Sequence, residues 1–435
     1  MRASAASGVM VSCLLVLAAP LAAQDTPATS RYIDPAAGVT IAQAIAEGLR
    51  QEPGLREART GIDAARGDRR QAALRPNPSV SAERREELGG ADNQTMVGFE
   101  LPLDLFRRGA RLAVADRVVT VMERSAEDRA RLLAADIRER IGVVLAAVRR
   151  LDVLDRLVET SRRTVELLDA RVREGAAPPI DRDVASVELQ RLRASRELAI
   201  GQTDAAVAAL KPLLGLPAQS TVRLRDSLEA AVAMDAPVPL PAPDAGKRAD
   251  VLEAVAQVAA AEARTAQLRQ EAKPDVGVFA SYMRMDSGFP QGGFGSGGER
   301  EPIHGIFHNV AGGVRLSLPV FNRNQGSLAA ARAQSEGAVH ALDARRLAAG
   351  AEVAAAQLRD AAARRALALY STDARALARR NLDVVRETYQ LGRATLFDVL
   401  NEQRRYFDFE SGYTDALVEA FASRTALQRA TGVVR

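Results

Sequence analysis

The chain passes twice from an alternating apolar stretch directly into a very long run without proline. From Val310 to Leu318, every second residue is apolar or glycine and the residues between them are small or polar, which predicts a strand with one oily face. From Gln325 onward, the chain is rich in alanine, free of proline and helical in its periodicity for about 65 residues. A strand is therefore expected to lead directly into a very long helix.

An earlier part of the chain repeats this arrangement. Apolar residues alternate over 95–103, and a second proline-free run extends over 107–177. Another strand-like stretch precedes each junction, at 78–88 in the first case and at 275–283 in the second. The unit helix, strand, strand, long helix occurs twice, which predicts an internal duplication.

Both long helices carry a seven-residue series, which predicts coiled packing against partner helices. At about 1.5 Å per residue, each helix would form a rod of roughly 100 Å. The rods end at Gly175 and Gly392, and the return helices are expected to begin near Asp183 and Asp398, with two extra residues in the first turn. The series comprises Ile137, Val144, Leu151, Val158, Val165 and Val172 in the first rod, and Leu342, Ala349, Ala356, Ala363, Tyr370, Leu377, Val384 and Leu391 in the second.

The sequence divides into four segments. Residues 1–23 contain an apolar run followed by small residues, which predicts a cleaved export signal. Cys13, the one cysteine of the chain, lies in this run, and a lipoprotein site there is the less favoured alternative. Residues 24–236 and 246–435 are expected to form two structural repeats of one domain, joined by a proline-rich linker at 237–245.

Composition and motifs exclude several classes of function. A net charge of +4 in 435 residues does not make a basic patch, so we expect no nucleic-acid partner. The sequence has no nucleophile motif, phosphate-binding loop or zinc-protease motif, so we expect neither an enzyme nor a cofactor. Beyond the signal there is no run of 18 apolar residues. Any insertion into a membrane must then use the strands.

The glycine-rich segment 284–309 is expected to be a surface loop between the two strands of the second pair. His304 and His308 lie four residues apart in this segment, with Met283 and Met285 upstream. These are weak metal-ligand candidates, because a glycine-rich loop does not hold two such side chains on one face. A solvated loop without a metal site is the favoured interpretation.

The strands of each half have the length that crosses a tilted bilayer, about 9 to 11 residues. Four strands cannot close a barrel, since an open edge is not tolerated in lipid and the smallest bacterial barrels have about eight strands. Several chains must then share one barrel. The expected fold is mainly α with a small β part. Long coiled helices would form an α-barrel, and three chains would contribute four strands each to a transmembrane β-barrel of twelve strands.

An ordered set of motifs resembles the outer membrane efflux protein family of TolC-like channels. The resemblance extends from about Thr40 to Gly432, and the string from Pro319 to Gly326 is similar to the heavy-metal-efflux branch. The matching stretches are Ile41-Ala42-Gln43-Ala44-Ile45-Ala46 with Pro53, Pro76-Asn77-Pro78, Leu318-Pro319-Val320-Phe321-Asn322-Arg323-Asn324-Gln325-Gly326, and Tyr389 to Leu400.

The resemblance implies a gate where the inner helices converge at the periplasmic tip. Tyr389 and Asp398 match family residues that constrict or line this opening, and Asp183 matches the gate aspartate of the first half if the two extra residues are allowed for. Ala394 and Asn401 depart from the family pattern, which has a gate arginine and a second acidic residue in these places. A plainer interpretation is that Asp183 and Asp398 are helix N-caps.

The resemblance further implies a passive homotrimeric conduit across the outer membrane and periplasm. It would contact outer-membrane lipid, a periplasmic adaptor protein and an inner-membrane pump of the RND type, and its expected cargo is heavy-metal cations. One alternative keeps the fold but exports drugs, organic solutes or, as in type I secretion, proteins. A second alternative is a periplasmic coiled-coil scaffold without a pore.

Overall fold

The computed structural model describes residues 28–88, 92–234 and 245–432. The predicted signal with Cys13 lies outside these residues, as does most of the predicted linker. The helices are α1 (Ile41–Gln51), α2 (Pro53–Ala73), α3 (Arg107–Arg173), α4 (Pro179–Leu210), α5 (Leu228–Met234), α6 (Ala249–Glu271), α7 (Gln325–Leu369), α8 (Thr372–Gln390) and α9 (Leu396–Thr431), and the strands are β1 (Ser79–Glu86), β2 (Asn93–Pro102), β3 (Asp275–Phe294) and β4 (Arg300–Ser317).

The order helix, strand, strand, long helix is present twice, as α2-β1-β2-α3 and α6-β3-β4-α7, so the predicted duplication is confirmed. Local sequence explains where the first helices begin. Thr40 and Gln43 form a reciprocal capping box at the start of α1, and the Glu52 carboxylate accepts hydrogen bonds from two backbone N–H groups of α2. Pro53 then occupies the first position of α2, where its missing N–H has no cost.

The strands form one antiparallel sheet in the order β1-β2-β3-β4. The predicted surface loop 284–309 is wrong, because β3 and β4 continue through it as a hairpin of 20 and 18 residues. Only residues 295–299 form the turn, where Gly298 has a φ of 82°. The glycines do not break the hairpin, since the backbone hydrogen bonds of the ladder form without side chains.

One face of the sheet is apolar and exposed in its helix-proximal part, whereas its next row towards the β3–β4 turn carries Arg84 and Arg284. The register places Val97 of β2, Tyr282 of β3 and Val310 of β4 in one row, and the row on its helix-proximal side contains Phe99 of β2 and Val80 of β1. All five side chains are more than a third exposed in the single chain, and Val310 is 83% exposed. The opposite face carries mostly small, polar and charged residues.

The first long helix is confirmed: α3 contains 67 residues and is about 100 Å long. Its heptad residues Ile137, Val144 and Leu151 are at most 1% exposed. They belong to the main core, in which α3 packs against α1, the end of α4 and the second half of α9. Among the described helices, none has the length and apolar composition required to cross a membrane.

The second long helix is interrupted, contrary to the sequence prediction. α7 ends at Leu369, and the side chain of Ser371 caps α8 by accepting a hydrogen bond from the N–H of Ala374. The heptad series changes phase at this break. Leu342 and the next three members are buried, whereas Leu377, Val384 and Leu391 are exposed and α8 instead buries Leu382 and Tyr389.

Candidate functional site

The tips of the two helical hairpins have the same backbone geometry. α3 and α4 are joined by residues 174–178, and α8 and α9 by residues 391–395, so each turn has five residues. In both turns a glycine closes the preceding helix in the left-handed conformation, with φ of 71° at Gly175 and 75° at Gly392. Ala176 N–H donates to the Arg171 carbonyl at 2.8 Å, and Arg393 N–H donates to the Thr388 carbonyl at 3.0 Å. Both ends are therefore Schellman motifs.

Equal turn lengths change the equivalence between the two halves. Asp398 is the third residue of α9, and the third residue of α4 is Asp181, not Asp183. The two extra residues predicted in the first turn are not present, because Pro179 begins α4, at a position where proline fits a helix well. The prediction of two extra residues in the first turn is therefore wrong, whereas the match of Asp183 to the gate aspartate of the family stays a prediction.

Asp183 is also not an N-cap. Pro178 occupies that position, and α4 has begun four residues before Asp183. The Asp183 carboxylate is exposed and accepts a hydrogen bond from the neighbouring Arg182 guanidinium at 2.7 Å. Its charge is thus partly compensated within the chain.

Asp398 has a capping role, although it is not the N-cap itself. Thr395 is the N-cap, and its hydroxyl accepts a hydrogen bond from the Asp398 N–H at 3.2 Å. In return, the Asp398 carboxylate accepts hydrogen bonds from the Thr395 hydroxyl at 2.7 Å and from the Thr395 N–H at 2.9 Å. These bonds favour the charged form and lower the pKa of Asp398. The carboxylate remains exposed and ionised at the tip.

Tyr389 joins the two hairpins. Its ring is 8% exposed and belongs to a small cluster with Leu168 of α3, Leu396 and Val399 of α9, and Ala185 of α4. Burial raises the pKa of Tyr389, so its hydroxyl stays neutral at physiological pH. The cluster fixes the end of α8 against the first hairpin.

A guanidinium group lies over this cluster. The Arg171 side chain is 5.4 Å from the centre of the Tyr389 ring and donates to the backbone carbonyls of Tyr389 and Gln390. It therefore binds the last carbonyls of α8, which have no partner within the helix.

The second residue of each return helix is exposed and apolar. Ile180 of α4 is 63% exposed, and Phe397 of α9 is 69% exposed. Leu377 and Val384 of α8 and Leu391 of the following turn are also exposed, so this end of the protein has apolar surface that the single chain does not cover.

The two histidines do not form a metal site. Both lie on β4, where residues four apart share a face at a separation of about 13 Å. His304 is paired with Gly288, and Nδ1 of His308 is 2.6 Å from the hydroxyl of Tyr282. Among the described residues, no group of three or more histidine, cysteine or acidic side chains could hold a metal ion.

Sequence reasoning missed a buried ionic cluster beside the interruption between α7 and α8. Glu410 of α9 is 4% exposed and lies 2.7 Å from the Arg149 guanidinium of α3 and 3.5 Å from that of Arg375 of α8. Arg149 also contacts Glu229 of α5 at 2.8 Å, and Arg375 lies 4.2 Å from the centre of the Tyr413 ring. In the sequence, such charges are indistinguishable from the solvated pairs that cover the helices.

The family model described as "Outer membrane efflux protein" matches residues 44–216 and 245–433. The chain belongs to this family. It is an outer-membrane efflux channel protein that extends into the periplasm, and it is not an enzyme. This finding overturns the alternative of a periplasmic scaffold without a pore.

Individual relatives agree with the family assignment. The chain is 24% identical over 373 residues to the cobalt-zinc-cadmium resistance protein CzcC of Cupriavidus metallidurans, a match that covers 85% of this chain and 84% of the relative. Its fold is similar to that of CusC, with a TM-score of 0.69, 19% identity and coverage of 91% and 92% of the two chains. It is also similar to the outer membrane protein VceC of Vibrio cholerae, with a TM-score of 0.68, 20% identity and coverage of 90% and 96%. These structures confirm the predicted TolC-like fold.

Proposed function

We propose that three copies of this chain form a passive conduit that exports heavy-metal cations. The single observation that carries the trimer is the open sheet of the described residues. β1 and β4 are its edge strands, and neither has a strand on its outer side. An apolar sheet cannot leave such edges in lipid, whereas three copies placed edge to edge give a closed barrel of twelve strands. The exposed apolar face would then contact outer-membrane lipid, and the polar face would line the pore.

Apolar side chains along α7 support the same assembly. Leu347, Leu358 and Leu369 are 78%, 74% and 81% exposed and follow one another at intervals of eleven residues. Eleven residues are close to three helical turns, so the three leucines lie on one stripe. Apolar side chains also remain exposed along α4, where Val187 is 71% and Leu198 is 69% exposed. Contact between neighbouring copies would remove these surfaces from water.

The assembly can be tested by the mass of the purified protein in detergent. We expect the mass of three chains, and we expect Leu358→Glu to shift the protein towards single chains, because a charge would be buried at the contact. Leu358→Met is the matched control and should leave the trimer intact. A monomeric wild type, or a trimer that tolerates Leu358→Glu, would contradict the proposed contact.

The proposed cargo rests on the CzcC relative and on the string from Pro319 to Gly326. The chain has no catalytic machinery of its own, so a pump must supply the energy. We propose an inner-membrane pump of the RND type, joined to this channel by a periplasmic adaptor. Growth of a deletion strain and of the complemented strain on zinc, cobalt, cadmium, copper, nickel and unrelated drugs tests the cargo. Sensitivity of the deletion strain to metals alone supports the proposal. Sensitivity to drugs alone, or to neither metals nor drugs, contradicts the proposed metal cargo but not the assignment as an efflux channel.

We further propose that Tyr389, Asp398 and Asp181 belong to the periplasmic gate, with Gly175 and Gly392 shaping its turns. Threefold symmetry would place three copies of Asp398 and of Asp181 around the opening, and such acidic rings favour cations. Asp183 was the sequence candidate, but its bond to Arg182 and its place two residues beyond the Asp398 equivalent favour Asp181 instead.

Permeability measurements in planar bilayers distinguish the contributions of these three aspartates to ion selectivity. Asp398→Asn and Asp181→Asn should each lower the ratio of cation to anion permeability. Asp183→Asn is the matched control and should change this ratio least. If Asp183→Asn has the largest effect, the assignment of Asp181 fails. If none of the three variants changes the ratio, the acidic ring fails and Asp398 acts only through its capping box.

A further inference from the structure

Three methionines lie together on the polar face of the sheet. Met96 of β2 is directly opposite Met283 of β3, and Met285 follows two residues later on the same face. The chain has seven methionines, of which Met1 and Met10 lie in the predicted signal, so three of the other five are in this cluster. The long pairing of β3 with β2 creates the cluster, which a loop at 284–309 would not contain.

The register brings the three thioethers within reach of one another. Directly opposite residues have Cβ atoms about 5 Å apart, and residues two apart on a strand are separated by about 7 Å. The Met283 sulfur contacts the side-chain amide of Gln94, and Gln94 is directly opposite Met285. Gln94 therefore links the Met283 sulfur to the row of Met285. Methionine has three rotatable bonds, so small rotations can turn three sulfur atoms towards one ion.

The charged neighbours of the cluster are hydrogen-bonded within the chain. The Asp92 carboxylate, next to the row of Met285, accepts hydrogen bonds from the Ser287 hydroxyl at 2.9 Å and from the Gly288 N–H at 2.8 Å. Glu83 and Arg85 of β1 lie in the same two rows, and the Arg85 guanidinium donates to the Glu83 carboxylate at 3.0 Å. The two rows are completed on β4 by Asn309, opposite Met283, and by Phe307, opposite Met285. The three methionines are half-buried, so an ion in solution on this face can reach them.

We propose that Met96, Met283 and Met285 form a binding site for a soft monovalent cation, Cu(I) or Ag(I). Uncharged thioether sulfur is a ligand that selects soft ions, whereas Zn²⁺ and Co²⁺ bind better to imidazole, thiolate or carboxylate. Because thioethers have no proton to lose, binding is independent of pH in the range where histidine sites lose their metal. The site lies within one chain and does not depend on the proposed cargo. Its position on the pore wall rests on the proposed trimer.

The test is a titration of the purified trimer in detergent with Ag⁺, observed through the ¹³C-methyl NMR signals of its methionines. We expect the signals of Met96, Met283 and Met285 to shift together and to saturate at one ion per chain, while those of Met122 and Met234 remain in place. Zn²⁺ should shift none of them. Equal shifts of all five signals, or no shift with Ag⁺, would overturn the proposal.

Variants make the assignment specific. Methionine to leucine substitutions nearly conserve volume, so the sheet should fold unchanged. Met283→Leu should weaken Ag⁺ binding about tenfold or more, because even loss of a side chain that only supports a metal ligand costs about 10- to 100-fold in affinity. The triple leucine variant should not bind. Met122→Leu on α3 is the matched control and should bind as the wild type does. A triple variant that elutes as a trimer and still binds Ag⁺ would refute the site. The growth tests are a separate experiment, so export can fail or persist independently of this result.

Discussion

The ring of Tyr389 is expected to hold the tip of the α8–α9 hairpin against the first hairpin. Tyr389→Ala removes a ring that is 8% exposed and packs among Leu168, Leu396 and Val399. Truncation of a buried aromatic side chain to alanine costs about 3 to 5 kcal/mol. Because this cluster is small and lies at the end of a hairpin, we use the lower value of about 3 kcal/mol and treat it as a local free energy of opening.

Hydrogen exchange measured by mass spectrometry reports this opening directly. A loss of about 3 kcal/mol corresponds to a decrease of roughly a hundredfold in the protection of tip amides, at 1.4 kcal/mol per tenfold. The effect should be confined to peptides from the tip, such as 382–400, and absent from α1 and the middle of α3. Under the proposed assignment of Tyr389 to the gate, the same variant should also increase the resting conductance of the channel in bilayers.

Tyr389→Phe is the matched control because it keeps the ring and its contact with Arg171. Protection and conductance should remain close to those of the wild type. If Tyr389→Phe opens the tip as much as Tyr389→Ala does, the hydroxyl rather than the ring holds the tip, and the packing argument is wrong. Unchanged protection in Tyr389→Ala would show that the cluster does not stabilise the tip.

Three further predictions concern the turn, the ionic cluster and the pH response. Gly392→Ala should lower the stability of the tip by about 1 to 2 kcal/mol, because the φ of Gly392 is 75° and alanine is strained there. Gly350→Ala should raise the stability by about 0.5 to 1 kcal/mol, because Gly350 lies within helix α7 with open space around it and alanine is the better helix former. Equal effects in circular-dichroism melting would contradict this reasoning. Glu410→Gln should destabilise the fold by about 3 kcal/mol in the same assay, the lower value for a broken buried ion pair, because the buried Arg149 keeps Glu229 and Arg375 is 32% exposed; a melting temperature equal to that of the wild type would refute it. The lowered pKa of Asp398 stabilises the tip above the usual carboxyl pKa, and this contribution is lost as the pH falls through the folded value. Hydrogen exchange of the tip, corrected for the intrinsic rate, should therefore accelerate below about pH 4. Thr395→Val should reduce this acceleration, because it removes the hydroxyl bond to Asp398 but keeps the bond from the backbone N–H, and Asp398→Asn should remove it.

Sequence patterns within a single segment, such as periodicity and the absence of proline, predicted the long helix α3 but not the break before α8. α3 was predictable because its 67 residues contain no proline and keep an apolar series that is buried in the core. The interruption before α8 was missed because no proline or glycine marks it. Its signal is weaker: Ser371 followed by Asp373 resembles the beginning of a helix, and the structure uses Ser371 as a cap.

The long β3–β4 hairpin could not be recognised from local preference. Segment 284–309 is rich in glycine, which lowers strand propensity when each strand is considered alone. The ladder is instead fixed by pairing between distant residues, such as Arg284 with His308 and Asp286 with Ile306. The methionine cluster has the same origin, because Met96 and Met283 meet only through pairing between the two halves.

At the tip, the structural roles of the glycines and of Asp398 were predicted better than the correspondence between residues of the two hairpins. Gly175 and Gly392 end their helices as glycine favours, and Asp398 does participate in a cap. The two extra residues were predicted wrongly because Pro178 and Pro179 were interpreted as an insertion, whereas proline is compatible with the first turn of a helix. Counting residues from the end of the preceding helix identifies Asp181 directly.

The interruption between α7 and α8 connects the ionic cluster to the tip. At Tyr370 the helical hydrogen bonds are not continuous, so the direction of α8 depends on side-chain contacts at its beginning. Arg375, in the first turn of α8, contacts both Glu410 and the Tyr413 ring. α8 is 19 residues long, about 28 Å, and ends beside Tyr389. A change at Glu410 should therefore disturb the base of the hairpin first and reach the tip through α8, whereas a change at Tyr389 should loosen only the tip.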